Sequence, residues 1–311
     1  MRFAVETWAP GYEPGSADEG LEPTKTPIDP SVEVRAERWA PVTPDPDPTG
    51  DGLGPVVFVD GVRRVDSRVW IDDADGLSRP GLCASVAAGA VRCAGSSAEL
   101  VAVEVERGVY TAAEGAETIK AGTTATWHLH PVRGDEESDL NLGVHDHMTS
   151  LEARVSGTLA DARLVVYDGP LRGRHHAAGV GYVKTQHVQY LTPELQRVVM
   201  LLDEGQRSPL FGIGGGMPRW SWYLRLPGPR AHGLSGVVRL ELPDLGGDAS
   251  CAAVRADQIS AGLPRFASEP HKEARAPQNL YPIAGLEHRL RHRLGDALLL
   301  ERALRVAAHA V

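Results

Sequence analysis

Asp60 and Asp168 end two stretches of the same kind. "VVFVDG" (56–61) and "VVYDGPL" (165–171) each run an apolar strand into a carboxylate followed by glycine. A carboxylate at the end of a buried strand is costly unless it is paired, hydrogen-bonded or bound to a cation. Two such ends brought side by side would repel each other, and a divalent cation removes that conflict. Two carboxylates with water completing the shell suit Mg²⁺ or Mn²⁺. Either aspartate alone reads more simply as a turn residue, because Asp-Gly is a common turn dipeptide. The two together, after like apolar runs, point to function.

Further residues could join such a centre. Glu152 sits in a helical pattern whose apolar positions are Met148, Leu151, Val155 and Leu159. It lies at the edge of that face, where a solvated glutamate is the simpler reading. "GLEHRLRHRLGD" (285–296) sets His288 and His292 at i and i+4, a spacing that shares a helix face and could bind zinc. It is not the H-E-x-x-H motif, since Glu287 precedes the first histidine. One of the pair could instead supply a ligand or a proton shuttle to a carboxylate site, and a plain basic helix face competes with both. Lys184 in "GVGYVKTQH" follows another short apolar stretch. Its ammonium could hold a phosphate or orient a water, or lie on the surface. The pairs 128/130, 145/147 and 175/176 are read as chance clustering among the 12 histidines. "GIGGGMP" (212–218) lacks the Lys-Ser/Thr of a phosphate loop, no G-x-S-x-G elbow occurs, and no cysteine is nominated as a nucleophile.

The elements that must position these residues alternate in type. Val56–Val59 is a continuous apolar run, as in a strand covered on both faces. Asp60-Gly61 is expected to turn, and "RRVDSRVWI" alternates as a second strand. A third strand is placed in "CASVAAGAVRCAG" or "ELVAVEVERGVYT". A helix over 140–161, a strand ending on Asp168, and a helix over 192–205 with Thr192 as N-cap and Pro193 at N1 follow. "WSWYLRL" (220–226) and "GVVRLELP" (236–243) alternate as strands, and 282–310 reads as two helices broken at Gly295. The expected fold class is α/β, a mixed central sheet flanked by helices.

Residues 1–54 form an irregular, Pro- and acid-rich extension before a domain spanning 55–311. "VEVRAERW" within the extension alternates as an edge strand. The chain of 311 residues has a formal net charge of −9, but residues 1–50 alone carry −6 and Arg265 to the end carries +3. The overall acidity is therefore weak evidence against a polyanionic partner. No run of apolar residues is long enough to span a membrane. No secretory leader is evident at the start, and three unpatterned cysteines suit a reducing compartment. A cytoplasmic location is expected.

The order "VVFVDG", Glu152, "LVVYDGPL", "GYVKT", "RWSWYLRL" and "NLYPIAGLEHRL" resembles that of the NurA nuclease family over about residues 55–310. The resemblance implies a ribonuclease-H-like core and a divalent-metal-dependent DNA nuclease. It implies exonuclease and single-strand endonuclease activity in DNA end processing and repair, beside a HerA-like hexameric ATPase translocase. It assigns Asp60, Glu152, Asp168 and His288 as ligands of Mn²⁺ or Mg²⁺, with Lys184 and Tyr223 as supporting active-site positions. Gly61 and Gly169 would turn the chain away and leave room for a phosphate. Two ions about 3.5–4 Å apart would bridge the scissile phosphate. DNA would be held without sequence preference, with "PLRGRHH" (170–176) and "HRLRHRL" (288–294) as basic lining and Tyr223 or Trp220 as stacking positions. A homodimer is implied as well. The sequence departs from the family pattern at Val62 and Glu287, and the acidic extension has no counterpart in it. Two other readings stand beside this one: a catalytically inactive docking subunit of an ATPase complex, and a metal-dependent phosphoesterase acting on nucleotides.

Overall fold

The computed structural model describes residues 22–23, 26–45, 53–73, 75–172, 174, 176–185 and 188–309. In chain order the strands are β1 (Glu22–Pro23), β2 (Ile28–Asp29), β3 (Val56–Asp72), β4 (Ser78–Ala94), β5 (Ser97–Thr111), β6 (Ile119–Ala121), β7 (Ala125–Pro131), β8 (Val165–Asp168), β9 (Gly179–Val183), β10 (Val188–Gln189), β11 (Phe211–Ile213), β12 (Arg219–Arg225) and β13 (Val237–Pro243). The α-helices are α1 (Glu137–Gly157), α2 (Pro193–Leu201), α3 (Ala249–Gly262), α4 (Tyr281–Arg293) and α5 (Ala297–His309).

The chain divides into two compact units, the first comprising 1–58, 93–97 and 162–284, the second 59–92, 98–161 and 285–311. In the first, the strand order is β2-β11-β12-β13-β9-β8 and then the opening residues of β3. Neighbours from β2 to β9 pair antiparallel, while β8 and β9 are parallel. In the second, β3-β4-β5-β7-β6 follow one another, with β5 and β7 parallel and β6 and β7 antiparallel. In chain order, three successive strands (β3, β4, β5) are followed by a helix (α1) and two more strands (β8, β9), and parallel and antiparallel pairs occur in both units. This is the α/β class, mixed sheet flanked by helices, expected from the sequence.

Each unit has its own core. In the first, Leu195 and Val199 of α2 pack with Trp39, Phe211, Ile213, Tyr223 and Val237. In the second, Leu300 and Leu304 of α5 pack with Cys83, Val109 and Trp127, and Leu286 and Leu290 of α4 close on Gly89 of β4. The helix break at 295 is real: Gly295 has φ +84°, which favours glycine. Arg64 donates to the Gly295 carbonyl (2.8 Å) and Arg107 to that of Leu294 (3.1 Å), covering acceptors left open at the end of α4.

Three local expectations are corrected. Asp60-Gly61 is no turn, because β3 continues to Asp72 as a single strand of 17 residues. Both candidates for the third strand are strands, β4 and β5. "VEVRAERW" forms bends and a 3-10 turn (Ala36–Arg38), not an edge strand. The edge of β11 is taken by β2, and Glu33 turns inward, pairing with Arg207 (2.8 Å) and accepting from the Leu210 N–H (2.6 Å). The described part of the extension is thereby built into the first unit. "ERWAP" (37–41) is echoed earlier in the chain by "ETWAP" (6–10), which lies outside the described residues.

Candidate active site

In the second unit, Asp60 and Glu152 are both buried around Gly61: Asp60 precedes it in β3, and Glu152 of α1 closes on it. Asp60 is 7% exposed and Glu152 1%. The Asp60 carboxylate accepts the Gly61 N–H at 2.8 Å. A side chain at Gly61 has no room: a Cβ there would lie 2.5 Å from Glu152 Oε1 and 2.7 Å from Met148 Cγ. Glycine is therefore needed for close approach of α1 to the strand, with backbone freedom playing no part. Glu152 is not at the solvated edge of its helix. It shares the buried face with Leu140, Val144, Leu151 and Val155.

The rotation of α1 is set by a polar chain on β5. His147 lies 2.6 Å from the Tyr110 hydroxyl through Nδ1 and 2.6 Å from Glu106 Oε2 through Nε2. Arg154, two turns on, pairs with Glu104 at 2.7 Å and also with Glu106. His130 stacks on Tyr110 at 5.1 Å and lies tilted against the His147 ring at 4.1 Å. Burial, then the nearby His147, holds His130 below the ordinary histidine range. Burial works to raise Glu106, but hydrogen bonds from His147 and Arg154 outweigh it and keep its pKa low. The sequence signal for this cluster is the pairs 128/130 and 145/147, which read as chance clustering. His130 and His147 are in fact packed partners.

In the first unit, β8 does end at Asp168, and Gly169 takes φ +103°. Lys184, just past β9, lies 2.6 Å from Asp168 Oδ2 and donates to Asn279 Oδ1 at 2.8 Å. The turn after Asp168 is held from below by Glu241 of β13, which is wholly buried and accepts the Leu171 N–H at 3.0 Å. Arg219 (3.0 Å) and Arg239 neutralise Glu241. Burial alone would raise its pKa, and the two guanidinium groups hold it below the usual carboxylate value. Arg174, expected as groove lining, is buried instead and donates to the carbonyls of Pro170 and Asp168 while lying over the Tyr167 ring.

Tyr223 is 1% exposed, stacks on Phe211 at 5.8 Å and belongs to the first unit's core. Burial pushes its hydroxyl up to about 12. Trp222 of the same strand donates to Ser260 of α3 at 2.9 Å, and α3 is a helix that the sequence pattern does not predict. His288 is on the exposed side of α4, with its Nε2 3.2 Å from that of His292. Leu286 and Leu290 take the buried side. The structure thus brings Glu152 against Gly61, the residue after Asp60, and Asp168 to Lys184. Among the described residues, no group of three or more His, Cys, Asp and Glu is arranged to hold a metal ion. The donors present, buried carboxylate oxygens, are of the hard type that suits Mg²⁺ or Mn²⁺. No described helix is long and apolar enough to cross a membrane.

In sequence, the chain matches no family model and no curated protein. In structure it is similar to the NurA nuclease from Sulfolobus solfataricus, with a TM-score of 0.47 and 11% identity over 83% of this chain and 85% of that one. It is also similar to endonuclease V from Bacillus subtilis (TM-score 0.36, 12% identity, 78% of this chain and 82% of that one). The catalytic domain of human endonuclease V gives a TM-score of 0.36 and 17% identity over 82% of this chain and 87% of that one.

Proposed function

We propose that this chain is a divalent-metal-dependent DNA nuclease, with Asp60, Glu152, Asp168 and His288 as ligands of Mn²⁺ or Mg²⁺. The observation that carries the reading is the burial of two carboxylates around Gly61, Asp60 before it in β3 and Glu152 closing on it from α1, hard oxygen donors of the kind Mg²⁺ or Mn²⁺ takes. A divalent ion bound there supplies Lewis-acid polarisation of a phosphodiester and an activated water at neutral pH.

The chain's own residues do the rest. Glu152 is held in place by the His147 and Arg154 anchors of α1 on β5. Asp168 is held at its turn by Glu241 and Arg174. Lys184 keeps a positive charge beside Asp168, where it orients a phosphate oxygen. Arg289, Arg291 and Arg293 are exposed on α4 with His288 and His292 and provide sequence-independent phosphate contacts. Tyr223, in the first unit's core, supports the sheet that carries Asp168. The proposed setting is DNA end processing, with exonuclease and single-strand endonuclease activity, as a homodimer beside a HerA-like hexameric ATPase, in the cytoplasm.

The test is cleavage of end-labelled single- and double-stranded DNA with Mn²⁺, Mg²⁺ or EDTA. Asp60→Asn and Asp168→Asn should each abolish cleavage with little change in melting temperature. Full metal-dependent activity in either variant sinks the assignment. A second reading, a non-catalytic docking subunit, is favoured by the lack of a gathered three-ligand group among the described residues. It wins if no metal supports cleavage even with the cognate ATPase present.

A further inference from the structure

Asn279 opens the stretch "NLYPIAGLEHRL", where the sequence alone gives it no role, yet it shares the Lys184 ammonium with Asp168. The distances are 2.8 Å to Asn279 Oδ1 and 2.6 Å to Asp168 Oδ2. An ammonium group only donates, so the amide oxygen must be the edge turned toward it. The other edge, Nδ2, is buried and has no hydrogen-bond partner among the described residues. An unused buried donor is costly. Asn279 is wholly buried and held in place by its chain neighbour. The Gln278 carbonyl accepts the Tyr182 hydroxyl at 2.7 Å, and Gln278 Nε2 donates to the carbonyls of Lys184 (3.2 Å) and Val237 (3.3 Å). The backbone thus presents an amide whose one satisfied contact is with Lys184.

We propose that Asn279 is a positioning residue for Lys184, a neutral second acceptor that sets how readily Asp168 exchanges the ammonium for a divalent cation. The proposal rests on the reading of Asp168 as a metal ligand. Asp168 Oδ2 cannot face the ammonium and a metal ion at the same point. An acceptor at 279 gives Lys184 somewhere to stay when Asp168 turns to the ion. An apolar side chain at 279 leaves Lys184 wholly on Asp168. A charged acceptor at 279 draws Lys184 away from it. Variants of Asn279 should therefore act in opposite directions, and only through Lys184.

The experiment measures Mn²⁺ binding to the full chain without DNA, by electron paramagnetic resonance of the free ion and by calorimetry. The proteins are wild type, Asp168→Asn, Asn279→Leu, Asn279→Asp, Lys184→Met and the Lys184→Met/Asn279→Leu double variant. Asp168→Asn should lose one bound ion. Asn279→Leu should weaken the Asp168-dependent binding about tenfold, the loss of one charge-assisted hydrogen bond. Asn279→Asp should tighten it severalfold. The Leu effect should vanish in the Lys184→Met background. Thermal melts check each fold, and Asn279→Ser, too short to reach the ammonium, replaces Asn279→Leu if the latter does not fold. Shifts of the same sign, no shift, or a Leu effect that persists without Lys184 overturn the role of Asn279 alone. Mn²⁺ binding that ignores Asp168→Asn overturns the metal reading and this inference with it.

Discussion

Asp60-Gly61 and Asp168-Gly169 read alike in the sequence and are built on different physics. At Asp60 the strand does not stop, since β3 runs on to Asp72. Gly61 is there because α1 presses Met148 and Glu152 onto it. At Asp168 the strand does stop, and Gly169 sits at φ +103°. A Cβ on Gly169 would meet nothing nearer than Arg174 Nη1, at 3.6 Å. The first glycine is needed for space and the second for conformation. A strand-Asp-Gly motif therefore does not define one geometry. What the two places share is support from groups distant in sequence: Glu152 of α1 against Gly61, and Lys184 on Asp168 with Glu241 on the turn that follows it.

The largest expected effect tests the support of the Asp168 turn. Glu241→Gln leaves Arg219 and Arg239 without their buried counter-charge, and breaking such a pair typically costs about 3–5 kcal/mol. Urea denaturation should show a loss of that order. A change below about 1 kcal/mol would mean that Glu241 is not what holds the turn. Next in size is Gly61→Ala, where overpacking should cost about 1–3 kcal/mol and move Glu152 off the strand. Shortening the clashing side chain in Gly61→Ala/Glu152→Ala should recover part of that loss. The Gly169→Ala/Glu152→Ala pair should be additive, because a Cβ at Gly169 meets only Arg174. Equal coupling in both cycles would erase the distinction between the motifs. Gly169→Ala itself should cost about 1–2 kcal/mol through backbone strain, and Gly169→Asn less, whereas Gly61→Asn should be worse than Gly61→Ala.

The sequence made the second motif legible and misled on the first for a physical reason. Asp-Gly carries a strong local preference for turns, whereas β3 continues through it because the whole strand, to Asp72, is paired with the next strand, β4, a condition that a dipeptide does not contain. The α2 start at Pro193, the strands β12 and β13, and the break at Gly295 were legible because caps and alternation are local signals. Helix α3 was not, because "ASCAAVRADQISAG" has no clear apolar stripe. The signal that could have found it is Asp248, whose carboxylate accepts the Ser250 N–H at 3.0 Å as an N-cap. Glu241 and Arg239 alternate with apolar residues in "VVRLELP", a pattern that reads as a solvated face. Both are buried, because Arg219 and the Leu171 N–H complete a polar cluster that no single stretch contains. Asn279 was hidden for the same reason: its partner, Lys184, is 95 residues away.

The smallest effect is a difference in acid sensitivity between the two places. His130, near Tyr110, His147, Glu106 and His128, has a pKa lowered from 6.5 by burial, so the folded chain favours its neutral form. The stability this provides is present above 6.5 and is lost as pH falls below it. Glu106 and Glu241 are also lowered, from 4.5, and their contributions persist until pH falls below 4.5. Between pH 7 and 5, then, the β5 anchor of α1, and with it Glu152, should weaken while the support of Asp168 stays intact. Urea midpoints measured across that window should fall in the wild type and flatten in His130→Asn. Glu241→Gln should lower every midpoint without changing the slope. If Glu241→Gln flattens the slope and His130→Asn leaves it unchanged, the titration belongs to the Asp168 turn, and the contrast in how the two carboxylates are held is wrong.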